Sequence, residues 1–393
     1  MSSAARERAY LDFNATAPLR EAALGAMTRA LAHLGNPSSV HAEGREARRL
    51  VEEARGKVAA LVGAKPANVV FASGGTEANV LALSPGTRPL GSSVEMRRLL
   101  VSAVEHPSVL AGGRFPPAHV ERIGVDGQGR LDLADLEEKL RHGDGPALVS
   151  VMAANNETGV LQPIHETAEI VHARGHVLHV DAVQAASRVP VGLSHADLLT
   201  LSAHKIGGPQ GIGALVFDDA RVHIEPLLRG GGQERGRRAG TEAVALIAGF
   251  GAAAEAAGAE LGDSARTSRL RAWLETGLCT ISPEAEIFGA GAERLPNTTC
   301  FGLEGVRAET AVIALDLAGV AVSSGSACSS GKVSESHVLR AMGVAPGLTR
   351  SAIRVSLGCN SRESDVERFL EAWRSFSAKL ATKREHSGVP VTA

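Results

Sequence analysis

Seven short apolar runs between residues 69 and 217 constrain this chain more than any other feature. They are Val69-Val-Phe-Ala72, Leu99-Leu-Val-Ser-Ala103, Val120-Glu-Arg-Ile123, Leu148-Val-Ser-Val-Met152, Val177-Leu-His-Val180, Leu198-Leu-Thr-Leu201 and Gly213-Ala-Leu-Val-Phe217. Strands covered on both faces of a parallel sheet read as near-continuous Val/Ile/Leu runs. Helix-like stretches separate the runs, so the pattern predicts an α/β domain. Polar residues follow five of them at once: Ser73-Gly-Gly-Thr76, Glu105-His106, Asn155-Asn156, Asp181 and Ser202-Ala-His204-Lys205. Open α/β sheets bind ligands beyond the carboxyl ends of their strands. Five strand ends therefore aim polar groups at one region.

The rest of the chain reads as a second, smaller α+β domain. Residues 242–282 look mostly helical, and Leu270, Trp273, Leu274, Leu278 and Ile281 recur at helical spacing as a core stripe. Asn297-Thr-Thr-Cys-Phe301, Val320-Ala-Val-Ser323 and Ile353-Arg-Val-Ser356 read as strands, and Glu309 to Leu317 and Asp365 to Lys379 as helices. The polar stretch from Lys383 to Ala393 reads as a mobile tail.

Charge excludes some functions. Lys plus Arg number 41 and Asp plus Glu 43, so no global positive field exists to hold nucleic acid or an anionic membrane. Aromatic residues are 3%, too few for a base-stacking surface. No apolar run reaches the roughly 18 residues of a membrane span, and the first residues lack a secretory apolar core. The four cysteines, Cys279, Cys300, Cys328 and Cys359, form no C-x-x-C pair, which argues against zinc and suggests a reducing cytoplasm.

Two motifs carry chemistry. Ser73-Gly-Gly-Thr-Glu-Ala-Asn79 follows a strand and opens a helix, where free N–H groups and the helix dipole attract an anion. A plain turn with a helix cap fits the same residues. Lys205 follows another strand and precedes a Gly-rich loop; it is either an exposed cation or a lysine whose amine bonds a carbonyl cofactor. Asp181 ends a third strand. A phosphate cradle, an acid for a ring nitrogen and a lysine for an aldehyde are what pyridoxal phosphate (PLP) needs.

With these residues in view, the chain resembles the PLP-dependent cysteine desulfurases of the NifS/IscS type, in the fold-type I, class V aminotransferase group. The resemblance runs from Tyr10 to about Phe369. It rests on Tyr10-Leu-Asp-Phe-Asn-Ala-Thr16, Gly35-Asn-Pro-Ser-Ser-Val-His41, Ser73–Asn79, Val104-Glu-His-Pro107, Asn155-Asn-Glu-Thr-Gly159, His179-Val-Asp-Ala-Val-Gln184 and Ser202–Lys205. It continues in Arg235-Gly-Arg-Arg-Ala-Gly-Thr241, Ser323-Ser-Gly-Ser-Ala-Cys328 and Ile353-Arg-Val-Ser-Leu-Gly358. The family pattern implies a large PLP-binding domain (14–256) with a mainly parallel seven-stranded sheet. A small domain (1–13 and 257–393) would carry the cysteine loop.

The resemblance also implies roles. Lys205 is expected to bond PLP, Asp181 to pair with the ring nitrogen, and Gln184 to bond the phenolic oxygen. His106 is expected to stack on the ring and transfer protons. Gly75, Thr76, Ser202 and His204 are the expected phosphate cradle. Thr241 is expected to reach the phosphate of a neighbouring subunit, which implies a homodimer. Asn156, also near the cofactor, and Arg354 are the expected grip on the substrate carboxylate, a task that suits a planar guanidinium. Each has a plainer reading: a turn for His106, a cap for Asp181, an ion pair for Arg354. Arg235, Arg237 and Arg238 read as a solvated loop. Three positions depart from the usual pattern: Ala17 where Thr is common, Gly75 where Ala is common, and Gln210 where Lys is frequent.

Cys328 lies among small residues, in a segment expected to be exposed. The resemblance makes it the nucleophile that takes sulfur from L-cysteine as a persulfide, releasing L-alanine. Cys279 and Cys300 look like core, and Cys359 gets no role. A selenocysteine lyase, another class V transaminase or lyase, and a PLP-binding sulfur carrier with poor turnover are the competing readings. The sulfur acceptor, whether an iron–sulfur scaffold or a thiolation enzyme, has no signature in the chain.

Overall fold

The computed structural model describes residues 8–262, 264–325 and 335–387, in two compact units. The larger contains Thr16–Asn156 and Val160–Gly262. The smaller gathers the residues up to Ala15, Glu157–Gly159 and the chain after Gly262.

The larger unit is built on seven strands: β1 (Val69–Ala72), β2 (Arg98–Ser102), β3 (Val120–Ile123), β4 (Ala147–Met152), β5 (Val177–Asp181), β6 (Leu198–Ser202) and β7 (Gly213–Phe217). They lie in the order β1-β7-β6-β5-β4-β2-β3. Every residue of β1, β4, β5, β6 and β7 is buried, which is why these strands carry near-continuous apolar runs. β7 runs antiparallel to both neighbours, and the other pairs are parallel. The carboxyl ends of β1, β2, β4, β5 and β6 therefore share one edge of the sheet. The register aligns them: Met152 faces Asp181, and Gly213 faces both Ser202 and Ala72.

Helices Glu21–Leu31 and Ala42–Leu61 pack against Val244–Glu260, which is apolar around much of its girth. Small residues bring the backbones together. A Cβ on Gly251 would stand 2.6 Å from Ala54 Cα, so only glycine fits.

The smaller unit holds a four-stranded antiparallel sheet of β8 (Glu286–Ile287), β9 (Thr298–Gly302), β10 (Ser323–Ser324) and β11 (Ile353–Ser356), in the order β8-β9-β11-β10. Phe301, Phe369 and Trp373 form its aromatic core, with Phe301 edge-on to both partners.

Four expectations change here. The single strand over Val320–Ser323 is two pieces: Val320–Ala321 pairs with Ala9–Tyr10, and Ser323–Ser324 joins β11. The chain changes partner at Val322, so one apolar run serves two ribbons. In helix Ser264–Ile281, Leu270, Leu274 and Leu278 are buried but Trp273 is 37% exposed and Cys279 is exposed. At about 100° per residue, the two lie roughly 100° and 140° from the centre of the leucine stripe. The last helix runs Glu363–Ser387 and covers part of the stretch expected to be a mobile tail. No single helix among the described residues is long and apolar enough to cross a membrane.

Candidate active site

The site on the larger unit starts from helix Gly75–Ala82, which begins three residues after β1. Gly74, its cap, has an extended backbone and no side chain to cover the first N–H groups. A Cβ on Gly75 would lie 3.2 Å from Val183 Cγ2 and 3.5 Å from Ser202 Cβ. The helix start thus comes close to the segment following β5 and to the end of β6, and Gly75 keeps open the space a side chain would fill. Thr76 is exposed beside it.

Asp181 ends β5 and is 6% exposed. Its Oδ1 accepts from Val183 N at 3.0 Å, and its Oδ2 accepts from Asn79 Nδ2 at 2.9 Å. Each carboxylate oxygen has two lone pairs, so each can accept once more. Asn79, one turn into the helix from Gly75, also donates to Ser108 Oγ at 2.9 Å. Ser108 Oγ lies 2.8 Å from His106 Nδ1, and Ser108 N donates to the same nitrogen at 3.1 Å. His106 caps the short helix Pro107–Leu110.

Ser202 closes β6 and is buried. A tight turn, Ala203–Lys205, follows and leaves His204 and Lys205 half-buried. His204 Nδ1 meets Thr16 Oγ1 at 3.2 Å, and burial together with the Lys205 ammonium lowers its pKa to about 4. It is a neutral hydrogen-bonding group at working pH. Gln184 is buried, with Oε1 accepting from Arg188 Nη1 at 2.5 Å. Asn156, after β4, is 8% exposed.

Thr241 is exposed and lines a cleft of about 200 Å³ with Phe71, Ala72 and Ser73. The loop before it is held firmly. Glu234 and Arg235 both have left-handed backbones, φ 47° and 59°. Buried Glu234 accepts two bonds from Arg55, at 2.7 and 2.9 Å, and one from Phe71 N at 3.0 Å. Phe71 lies on edge strand β1, so the carboxylate takes an N–H that the sheet leaves unpaired. Arg55 also stands 4.8 Å from the centre of the Phe71 ring. Arg238 pairs with Glu77 at 2.8 Å; burial opposes ionisation of Glu77, but Arg238 and Ser73 outweigh it and hold its carboxyl below the ordinary value. The arginines expected to be solvated are therefore partly structural.

On the smaller unit, Arg354 is 2% exposed and its Nη2 donates to Asp12 Oδ1 at 2.9 Å. Ser323 Oγ donates to Asp12 Oδ2 at 2.8 Å. Glu157 is fully buried; burial raises its pKa to about 7 against the opposing pull of Ser336 and Arg354. Cys300 is buried, with its thiol pushed up by burial, as a core position implies. Cys359 is exposed, with Sγ donating to Asn360 Oδ1 at 2.9 Å. Cys328 lies outside the described residues.

Sequence reasoning gave no role to Asn79, Ser108, Glu157 or the Arg55–Glu234 pair, and placed Glu105 at a strand end without assigning it one. Glu105 is fully buried; burial, then the nearby Asp181, raises its pKa well above the usual carboxylate value. Asn79 stood in a motif already quoted, one helical turn past the cradle glycine, which was its only signal. Glu105 and Glu157 also stood in quoted motifs, Ser108 follows one directly, and Arg55 and Glu234 look like ordinary surface charges in a sequence.

An acceptor-only carboxylate, a half-buried lysine and a glycine-opened helix start, gathered at one sheet edge, fit the ring nitrogen, aldehyde and phosphate of PLP. The family comparison agrees. The aminotransferase class-V model matches residues 9–369, and the chain belongs to that family, within its cysteine desulfurases. These are PLP-dependent enzymes. A cysteine desulfurase of Cereibacter sphaeroides is 44% identical over 375 residues, covering 93% of this chain and 94% of the relative. Cysteine desulfurase IscS 1 of Archaeoglobus fulgidus is 40% identical, covering 92% of this chain and 95% of its own. The X-ray structure of a NifS-like protein from Rickettsia africae superposes with a TM-score of 0.85 at 33% identity, over 95% of this chain and all of that one.

Proposed function

We propose that this enzyme converts L-cysteine to L-alanine and stores the sulfur as a persulfide on Cys328 for delivery to an acceptor protein. The observation that carries the reading is the convergence of Asp181, Lys205 and the Gly75 helix start at one sheet edge. Bound PLP supplies an electron sink for charge developing at the substrate α-carbon. Asp181 holds a proton on the ring nitrogen through its remaining lone pairs. Gly75, Thr76 and Ser202 hold the phosphate, with His204 as a hydrogen-bond partner. Gln184 donates its amide to the phenolic oxygen, and His106 covers the ring. Lys205 anchors the cofactor, then moves the α-proton of the substrate.

Arg354 takes the substrate carboxylate, with Asp12 steadying the guanidinium; Asn156 is the second substrate residue. The Cys328 thiolate attacks the substrate sulfur. A sulfur–sulfur bond forms as the Cβ–S bond breaks, and the bonding pair stays on carbon, where protons complete alanine. The protein gains one sulfur atom and needs no external oxidant. Two covalent stages replace one difficult step.

Thr241 serves the phosphate site of a second copy, so the working unit is a homodimer in a reducing cytoplasm. The acceptor is a protein of iron–sulfur assembly or thiolation.

A single-turnover mix with L-cysteine tests the reading through PLP absorbance, alanine and intact mass. The expected result is one alanine and one added sulfur, mapped to Cys328. The Cys328→Ala variant keeps PLP and forms no persulfide. Full turnover by that variant removes Cys328 from the mechanism.

A further inference from the structure

We propose that Asn79 and Ser108 are positioning residues that fix His106 as a neutral imidazole protonated on Nε2, so that it meets its reaction partner as a hydrogen-bond donor and not as a base. The inference rests on the reading that His106 and Asp181 flank the cofactor.

Bond polarity carries the argument. A carboxylate can only accept. Asp181 therefore obliges Asn79 to turn its NH₂ towards it, at 2.9 Å. The same nitrogen sends its second hydrogen to Ser108 Oγ, also at 2.9 Å. Asn79 accepts a cost for this orientation, because its buried Oδ1 meets no donor among the described residues. Ser108 Oγ now receives a bond and has one hydrogen of its own to give. His106 Nδ1 lies 2.8 Å away and takes it. The backbone N–H of Ser108, which can only donate, points at the same nitrogen from 3.1 Å. Two donors converge on Nδ1, so Nδ1 carries no hydrogen. A neutral imidazole then holds its proton on Nε2. The direction of every bond from Asp181 to His106 follows from one carboxylate.

The consequence is chemical. The basic lone pair of His106 is the one on Nδ1, already engaged by Ser108. Nε2 cannot take a proton from the substrate in this state; it polarises by donating. Removal of the α-proton falls to Lys205 alone.

The test is nitrogen-15 NMR of the histidine-labelled full chain, with and without PLP, using His106→Gln to assign the signals. The expected spectrum has Nδ1 in the unprotonated range and Nε2 in the protonated range. Ser108→Ala and Asn79→Leu each add a population protonated on Nδ1, and Ser108→Thr restores the single form. A protonated Nδ1 in the wild type overturns the tautomer. Spectra unchanged in the variants overturn the part given to Asn79 and Ser108. A fixed tautomer whose signals ignore PLP overturns the reading of His106 as a cofactor neighbour, and with it the place of this tautomer in the reaction. None of these readouts depends on turnover.

Discussion

Glu157 is a buried carboxyl whose charge the fold disfavours. Its folded pKa is about 7 against an ordinary 4.5. Between those values the unfolded chain ionises it while the folded chain keeps it protonated. Stability from this group is therefore present at low pH and lost as pH rises through that window. The gap corresponds to about 3 kcal/mol once both forms are ionised. Glu157→Gln keeps the partner for Ser336 without the charge. Its melting temperature should exceed that of the wild type near pH ~8.5 and match it near pH ~4, as thermal denaturation followed by circular dichroism will show. Arg354 makes a second prediction. Lysine there retains the charge facing Asp12 but loses the planar fork. Arg354→Lys should raise KM for L-cysteine about tenfold, with steady-state alanine release as the measure.

At the scale of elements, the loop before Thr241 depends on a pair of charges 179 residues apart. Removing one partner strands the other in the interior. Glu234→Ala should cost about 3–5 kcal/mol in urea unfolding, whereas Arg55→Met with Glu234→Leu should cost less because no lone charge remains. An equal loss in both would assign the stability to packing. This pair also marks the limit of what a sequence discloses. The strands were legible because burial on both faces leaves a near-continuous apolar run, as in Gly213–Phe217. The strand ends were legible because motifs such as His179–Gln184 follow those runs. Glu234 was not legible: its burial depends on an edge-strand N–H and a distant arginine, and neither leaves a local pattern. Cys279 was misplaced for a related reason, since helical content alone does not say which face is covered. Val320–Ser323 read as one strand because an apolar run records burial, not the identity of its partner.

The whole molecule is expected to act as a pair. Sedimentation of the PLP-bound protein should give one species at about twice the 40.6 kDa chain mass. Thr241→Ala should weaken PLP binding about tenfold while leaving that species intact, measured by equilibrium dialysis. A monomer with full PLP affinity would exclude a part for Thr241 in a neighbour's site.

The pairing of Ala9–Tyr10 with Val320–Ala321 has a bearing on how the chain is made. A ribosome releases the first partner more than three hundred residues before the second. At roughly 5–20 residues per second, the leading segment waits about 15–60 s for its mate. The larger unit lies between them in the chain and has its last residue, Gly262, well before that. Synthesis order thus favours a finished cofactor-binding unit first. The smaller unit closes last, drawing Ala9 and Leu11 into one core with Phe369 and Trp373, and a nascent chain stopped short of Val320 would leave Ala9–Tyr10 with no edge to join.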